Sequence, residues 1–480
     1  MRLTHILGIG ASLAVLALAT PASAETLRDA LGKAYAHNPT LTGARAAQRA
    51  NDENVPLARA DALPNLGASA DYTENVKRSS TSFTSPFRSA SADLTLRVPI
   101  YQGGAVANGI RAADTRVAAG VETLRATEAS VFSAVVAAYM DVIRDEAIVK
   151  LNRENANVLG VNLQATNDRF EVGDLTRTDI AQSQARLALA QSDLQTAEAN
   201  LISSRERYIH LVGEPPVNLE PPPALPNLPA SPDEAVGIAV ANNPDLKAAE
   251  KQREAARYDI RVAEASRLPR LSAVAQGGYT NFLGSLGTSQ TDQVSTQAIV
   301  GLQGTIPLFQ GGRPGAQVRQ AQARSSQTIE QSIAVEREVV AQTRASYASW
   351  KSSLQVIESS NAAVSANTLS LEGVRAENSV GNRTILDILN AEQELLIAQV
   401  QLVSAQRNAY VAGFSLLAAM GKAEAADLGL DGGTLYDPTI NYNRVKGRIW
   451  DFDKDPAPLP VATRTVDTPA QNPETTQTSK

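Results

Sequence analysis

The sequence contains no cysteine, which excludes disulfide bonds and thiolate metal sites. It has only three histidines, and aromatic residues make up 4% of it. The net charge is −6, so we expect no nucleic-acid partner. Beyond residues 1–24 we expect no segment apolar enough to form a membrane helix. What remains is rich in Ala, Gln, Ser, Glu, Arg and Leu, a composition typical of long helices that pack through small residues.

The sequence offers little for catalysis. It contains no Walker loop, no G-x-S-x-G elbow and no His-Glu-x-x-His helix. His37 precedes a proline by two positions and is matched later by Asn242, so we interpret it as a helix-capping residue rather than a ligand. His210 lies in an unrelated place, and Asp451 and Asp453 are best interpreted as solvated loop charges. We therefore predict no enzyme, no cofactor and no metal site.

Residues 1–24 have the three parts of a secretory signal. Arg2 supplies the charged start, residues 6–19 supply the apolar stretch, and residues 22–24 read Ala-Ser-Ala, a small-residue cleavage site. The apolar stretch is too short for a transmembrane anchor. We therefore expect cleavage before Glu25 and a mature protein outside the cytoplasm.

The chain repeats its landmarks in one order. A Pro-x-aromatic-Gln-Gly-Gly segment at Pro99 returns at Pro307, 208 positions later. Ordered landmarks at a near-constant offset indicate a tandem duplication. We predict a first repeat at 25–220, a Pro-rich linker at 221–232, a second repeat at 233–420, an irregular equatorial segment at 421–454 and a disordered tail at 455–480.

Each repeat predicts the same order of elements: a helix, two strands, a very long helix and a shorter returning helix. A 69-residue helix would be about 100 Å long, and each returning helix is about half that length. We expect each returning helix to stack end to end on the first helix of the other repeat, so that a chain contributes four rods. The predicted first helices are 26–62 and 233–267, the long helices 103–171 and 312–379, and the returning helices 176–212 and 384–420.

The strand regions, at 65–100 and 270–308, alternate apolar and polar residues with period two. Each forms a hairpin with a polar link, at 73–90 and 280–297. Such alternation fits a sheet packed on helices in a globular domain, which is ordinarily the favoured interpretation because the signal of each strand is weak. It also fits a membrane barrel with its apolar face toward lipid.

Three features favour the barrel: the predicted export, the lack of a membrane helix, and helices without a wide apolar face left for a sheet. Tyr72, Tyr101, Phe282 and Phe309 lie at predicted strand ends, where an interfacial aromatic belt would be. Four strands cannot close a membrane-spanning barrel, because the smallest have about eight. Several chains would therefore have to associate around one axis.

A nine-residue turn closes each long helical pattern. Residues 172–180 are matched by residues 380–388, and in each copy Gly followed by Asp or Asn breaks the helix. The Thr and Asp that follow can cap a new helix. We interpret the two segments as the tips of helical hairpins. On this evidence alone, Asp179 and Asp387 are best interpreted as helix-start charges favoured by the helix dipole.

The duplication, the Pro-x-aromatic-Gln-Gly-Gly segment and the Val-Gly-x-x-Thr-x-x-Asp-Ile tips together resemble the TolC family of outer-membrane channels, over about 25–445. The resemblance implies a mainly α fold with a β-barrel: a homotrimer with a 12-stranded transmembrane β-barrel continuous with a 12-helix periplasmic α-barrel. It implies an exit duct in outer-membrane lipid for type I protein secretion, multidrug efflux or both. The implied partners are a periplasmic adaptor (membrane fusion) protein and an inner-membrane ABC or RND transporter.

The resemblance also assigns roles at the tips. Asp387 matches the first acid of a ring inside the pore, whereas Asn390 stands where the family's TolC member has a second Asp. Asp179 and Arg383 match a pair that bridges neighbouring hairpins and holds the tunnel shut. Asn378 stands where that network would have a Tyr. One acidic ring and a weaker latch are therefore expected.

The outermost residues of the two tips are expected to meet the adaptor. Two other interpretations stay open: a periplasmic coiled-coil adaptor, which would need a lipoyl-like β domain, and a structural coiled-coil protein of the cell envelope. The predicted docking residues are Val172, Gly173, Asp174, Leu175, Val380, Gly381 and Asn382.

Overall fold

The computed structural model describes residues 24–77, 86–286, 292–430 and 435–474. The predicted signal sequence, apart from Ala24, lies outside the described residues, as do parts of both hairpin links and the end of the tail. In chain order the elements are α1 (Leu27–His37), α2 (Pro39–Asp52), α3 (Asn54–Ala60), β1 (Asn65–Glu74), β2 (Arg88–Tyr101), α4 (Ala105–Glu171), α5 (Arg177–Val212), α6 (Pro232–Asn242), α7 (Pro244–Glu264), β3 (Arg270–Asn281), β4 (Val294–Thr305), α8 (Arg313–Ser379), α9 (Ile385–Ala419) and α10 (Pro438–Val445).

The first helix of each repeat is broken, and the prediction of continuous helices there is wrong. The break falls before a proline, which disfavours helical backbone in the preceding residue. Asn38 Oδ1 accepts the backbone N–H groups of Thr40 and Leu41 at 2.9 and 3.3 Å, and Asn243 caps α7 in the same way. The capping residue is therefore Asn38, and the capping role predicted for His37 belongs to its neighbour.

The same asparagines show how the shorter helices stack. Asn38 Nδ2 donates to the carbonyl of Leu211 at the end of α5, at 2.8 Å. Asn243 Nδ2 donates to the carbonyl of Ala419 at the end of α9, at 2.9 Å. Each side chain caps one helix and satisfies an orphan carbonyl of the other. Stacking therefore occurs within each repeat, α2 on α5 and α7 on α9, and the prediction of stacking across repeats is wrong.

Helix α4 is the centre of the packing. It contacts α5, α7, α9 and the first three helices, and its middle carries two of the largest buried side chains, Phe132 and Tyr139. An 18-residue stretch of α4 reaches a mean hydropathy of 1.4, so the expectation that no segment would be apolar enough for a membrane helix is wrong there. That stretch is 56% buried within the chain, which is typical of a core helix.

The four strands form one antiparallel sheet in the order β1-β2-β3-β4, so the pairing of β2 with β3 joins the two repeats. The register places Leu66 opposite Leu96, Leu96 opposite Ala275, and Ala275 opposite Val300, and one apolar face runs across all four strands. Leu66 is 64% exposed and Val300 86% exposed, so no part of the chain that the structure describes covers these positions of the face.

The segment after α9 runs toward the end of the helical region that adjoins the strands. In α10, Asn441 donates to Asp52 on α2 at 2.7 Å, and Tyr442 donates to Asp114 on α4 at 2.9 Å. The prediction of a disordered tail is wrong for residues 455–474, which lie along α5. Arg205 donates to two carbonyls of this stretch at 2.6 and 2.9 Å. Buried polar groups need partners, and the tail backbone supplies them to Arg205.

Candidate gate at the hairpin tips

Two five-residue turns, 172–176 and 380–384, join the long helices to the returning ones. Gly173 has φ +86° and Gly381 has φ +83°, the left-handed region that favours glycine. In each turn, the N–H of the glycine returns to the carbonyl three residues earlier, and the next N–H returns to the carbonyl five residues earlier. These bonds satisfy orphan carbonyls of the ending helix. The two tips thus share one backbone geometry.

The returning helices begin with matching capping boxes. The backbone N–H and the hydroxyl of Thr176 donate to Asp179 Oδ2 at 2.8 and 2.7 Å, and Thr384 donates to Asp387 Oδ2 at 2.9 and 2.8 Å. These bonds lower the pKa of both carboxyls; the hydroxyl of Thr176 is the larger cause for Asp179, and the N–H of Thr384 for Asp387. Both acids therefore start helices and remain charged.

The first tip is stabilised by a local ion pair. Arg169, in the last turn of α4, lies with Nη2 2.7 Å from Asp174 Oδ2. Both side chains are about half exposed, so this pair contributes little to stability in water. Its geometric effect is to hold the turn against the end of α4.

The second tip has a different set of contacts around Arg383. Arg383 Nε lies 2.7 Å from Glu377 Oε2, and Arg383 Nη1 lies 4.0 Å from Asp387 Oδ1. Asn378 Nδ2 donates to the carbonyl of Arg383 at 2.7 Å. The structure thus brings together Arg383, Asn378 and Asp387. Asp179 belongs to the other hairpin, and across the described ranges no ion pair joins it to Arg383 within this chain.

The predicted docking residues form the outer surface of the tips. Val172 is 80% exposed and Val380 is 70% exposed, although both are apolar. Leu175 is half-buried, and the remaining four are exposed: Gly173, Asp174, Gly381 and Asn382.

Sequence reasoning missed a buried acid one turn deeper. The side chain of Glu392 on α9 is 5% exposed. It accepts from Asn162 Nδ2 of α4 at 3.1 and 3.2 Å, and Arg375 Nη2 of α8 lies 3.0 Å from it. Glu392 therefore ties the two hairpins together. It follows the buried Ile388 by one helical turn, and this placement of a charge on an apolar face was the available signal.

A second missed contact involves the residue predicted to replace an acid of the pore ring. Arg186 Nη2 of α5 donates to Asn390 Oδ1 of α9 at 2.8 Å, and Nη1 donates to Gln393. Arg186 thus joins the first hairpin to the second at the level of Asn390. Asp387, three residues earlier, has no part in this contact and keeps its charge.

The arrangement suits a site that joins and separates helical hairpins. Charged and amide side chains hold two long hairpins together near tips whose acids also cap helices. Within the residues that the structure describes, no cluster of three or more acidic or histidine side chains could hold a metal ion.

Comparison with known proteins agrees with this architecture. A family model described as outer membrane efflux protein matches residues 30–214 and 235–422, which are the two repeats. The chain is 32% identical over 427 residues to the outer membrane efflux protein BepC of Brucella suis biovar 1 (strain 1330), covering 89% of this chain and 92% of BepC. It is 29% identical over 423 residues to the outer membrane protein TolC of Escherichia coli (strain K12), covering 84% of each.

Solved structures show the same fold. The crystal structure of the outer membrane protein VceC from Vibrio cholerae superposes with a TM-score of 0.70 at 24% identity, covering 82% of this chain and 96% of VceC. The resemblance to TolC-like channels and the predicted fold class are therefore confirmed. The chain belongs to the outer membrane efflux protein family.

Proposed function

We propose that three copies of this chain form an exit duct through the outer membrane and the periplasm. The observation that carries the proposal is the sheet: it has open edges at β1 and β4 and an apolar face that the chain leaves exposed. A membrane-spanning sheet must close, and four strands cannot close alone. Three copies supply twelve strands, and their helices, about 100 Å long, supply the tunnel below.

The duct closes at the hairpin tips. Asp179 and Arg383 are on different hairpins, and both lie within a few residues of a tip. Capping engages only Oδ2 of Asp179. In the closed trimer Arg383 exchanges its contact with Glu377 for Asp179 of the adjacent hairpin, and Asn378 supports it through the backbone. Opening separates the hairpins and returns Arg383 to Glu377.

Asp387 forms one ring of three carboxylates just inside the tips. Asn390 adds no charge to it, and Arg186 lies beside Asn390 with a positive charge. The pore is therefore less negative at this level than a pore with two acidic rings, and cations block it weakly.

The exposed tips dock with a periplasmic adaptor and, through it, with an inner-membrane pump that supplies the energy. Apolar side chains as exposed as Val172 and Val380 are suited to a protein contact. Residues 1–24 are removed on export. Relatives include the alkaline protease secretion protein AprF of Pseudomonas aeruginosa and the cobalt-zinc-cadmium resistance protein CzcC of Cupriavidus metallidurans, so both secretion and efflux are open to this duct.

The gate is tested by conductance in planar bilayers. The double variant Asp179→Asn and Arg383→Ala removes the latch, while Asn keeps an oxygen that can accept from Thr176 in the capping box of α5. We expect a several-fold higher single-channel conductance, and single variants that each give most of the increase. Glu377→Gln is the control and should not raise conductance, because Glu377 competes for Arg383 in the open state. Unchanged conductance in the double variant would refute the latch.

The range of exported substances is tested in a deletion strain. Loss of secreted proteins, increased drug sensitivity, or both would show which transport pathways use the duct. If neither changed, the assignment of export to this chain would be wrong.

A further inference from the structure

A short loop after α10 exposes large apolar side chains. We call residues 446–455 the aromatic loop. Ile449 is 73% exposed, Trp450 71% and Phe452 78%, and the rings of Trp450 and Phe452 lie with centroids 5.9 Å apart. Exposed apolar residues are ordinary when scattered, whereas three within four positions form a patch that calls for a partner.

Ion pairs hold the loop in one shape. Arg444 makes a bidentate contact with Asp455 at 2.6 and 2.8 Å, and Arg448 lies 3.2 Å from the same carboxylate. The two arms of the loop are therefore closed at their base. At the turn, the N–H of Asp453 donates to the carbonyl of Trp450 at 3.2 Å.

The loop is also fixed to the helices beneath the sheet. Arg59 of α3 donates to the carbonyl of Lys446 at 2.6 Å, and α10, which leads into the loop, is bonded to α2 and α4. Since α3 leads directly into β1, these contacts place the loop beside the junction between helix and strand.

The loop adjoins the apolar face of the sheet. Ile449 and Trp450 line a groove together with Leu57, Leu63 and Leu66 of the junction. The groove also has a charged side, formed by Arg448 and the carboxylates of Glu53, Asp451, Asp453 and Asp455. Leu66 is the second residue of β1 and lies on the face that we assign to lipid. The apolar side chains of the loop therefore continue that face toward the helices.

This end of the sheet is where the strands join the helical region. Two strands begin there and two end there, because neighbours are antiparallel. Tyr101, the last residue of β2, is 49% exposed, and Phe309, which follows β4, is 88% exposed. The loop thus adds Trp450 and Phe452 to an aromatic rim at the helix-facing end of the sheet.

We propose that the aromatic loop is a membrane anchor, with Ile449, Trp450 and Phe452 lying in the interface of the lipid leaflet that faces the helical region. The proposal rests on the sheet being a membrane barrel. Trp is enriched at membrane interfaces because its ring is apolar at one end and polar at the other. The loop carries three basic residues (Lys446, Arg448 and Lys454) and three acidic ones (Asp451, Asp453 and Asp455), so its net charge is zero and its affinity for the interface comes from the apolar side chains.

Phospholipid is the occupant that these observations favour, because the patch is continuous with a lipid-facing surface. In a trimer the anchor occurs three times around the duct. The anchor lies outside the barrel and sets the depth of the barrel in the membrane. It is held by contacts within the loop and with the helices, and it makes no change to the strands.

The sequence allows a direct test, since it contains only two tryptophans. Trp350→Phe leaves Trp450 as the single reporter, and the protein is reconstituted into phosphatidylcholine vesicles whose acyl chains carry bromine at shallow or deep positions. We expect strong quenching of Trp450 by the shallow bromines and weaker quenching by the deep ones. A matched reporter carries Val300→Trp with both native tryptophans changed to Phe, and it reports on the sheet.

The two reporters separate the anchor from the barrel. If the sheet reporter is quenched and Trp450 is quenched only by aqueous iodide, the loop lies in water and the anchor is refuted. If Trp450 is shielded from both bromine and iodide, a second copy of the chain covers it, which also refutes the anchor. If the sheet reporter is not quenched, the membrane barrel is wrong, and the anchor fails with it. Migration of each variant as a heat-resistant trimer in gel electrophoresis would show that it has assembled.

Discussion

The two hairpin tips have the same backbone and different charges. Gly173 and Gly381 adopt nearly the same φ, and each tip carries a Thr-x-x-Asp capping box. The first tip closes an ion pair across its own turn through Asp174, whereas Asn382 at the matching position has no charge to do so. The duplicated residues are those that the turn geometry requires. Residues that the geometry leaves free have diverged.

The divergence places a second function in the second tip. Without a partner at Asn382, the arginine of that tip contacts Glu377 and lies near Asp387. An arginine held by a half-exposed acid can exchange partners at low cost, because such pairs are weak in water. In the proposed gate, the first tip is the fixed surface and the second is the movable part.

The strongest expected effect comes from the glycine shared by both tips. Gly381→Val places a β-branched residue at positive φ, which costs about 1–2 kcal/mol and distorts the turn. We expect export to be lost while trimers remain in the membrane, and the same for Gly173→Val. Export assays with outer-membrane fractions would measure both results.

Gly373→Ala is the matched control for the tip glycines. This residue lies in α8 near the tip, its backbone is helical, and an added Cβ meets nothing within 4 Å. Export should be unchanged. If Gly381→Val also left export intact, the docking role of the second tip would be wrong; if only Gly173→Val did, the two tips would be unequal partners of the adaptor.

A smaller effect is expected one turn inside the second tip. Asn390→Asp adds an acid to the pore, but Arg186 lies within hydrogen-bonding distance and neutralises much of the added charge. We expect block by trivalent cations to strengthen modestly in Asn390→Asp and markedly when Arg186→Ala is added. Dose–response curves in planar bilayers would measure this. Equal block in the single and double variants would show that Arg186 does not face the ring.

A pH experiment compares the two capping boxes. Hydrogen bonds from Thr384 lower the pKa of Asp387 from 3.8. The carboxylate therefore stays charged at pH 3.8 and loses its charge only as the pH falls through the lowered pKa. Thr384→Ala removes the hydroxyl and should move the loss of cation selectivity to higher pH. Thr176→Ala should not, because we assign Asp179 to the latch and not to the ring. Reversal potentials measured against pH would separate them; identical shifts would contradict the ring assignment.

The smallest effect is expected at the joints between stacked helices. Asn38→Ala removes a cap and leaves the carbonyl of Leu211 without its donor, which should cost about 1 kcal/mol. Asn38→Asp is the matched control, since it keeps the cap acceptor and loses only the donor. The midpoint of thermal unfolding should be highest for the wild type, lower for Asn38→Asp and lowest for Asn38→Ala. Equal midpoints for the three proteins would show that the joint carries no stability.

Much of the fold follows from local signals. Alternation with period two identified the strands, and helices α4 and α8 each begin and end within two residues of the predicted bounds. Gly followed by Asp or Asn located both tips, because a left-handed residue and a capping acid restrict the backbone wherever the chain lies. The duplication was likewise visible in the spacing of its landmarks, and the family resemblance in the motifs that recur at that spacing.

Other features depend on which surfaces meet. The prediction paired the stacked helices across repeats from their lengths, whereas Asn38 and Asn243 join them within repeats. Length cannot distinguish these pairings, since the two first helices and the two returning helices are similar in length. The disordered-tail prediction failed because Pro and Thr content says nothing of a partner such as Arg205, which binds the tail's backbone.

The sequence by itself determined where the long helices end, which strand face is apolar and which residues stand at the tips, because these depend on neighbours a few positions apart. The tertiary structure alone decided that Arg186 meets Asn390, that Glu392 joins three helices and that the aromatic loop reaches the sheet. Those contacts join residues far apart in the chain, and only the packing of the long helices brings them within hydrogen-bonding or van der Waals distance.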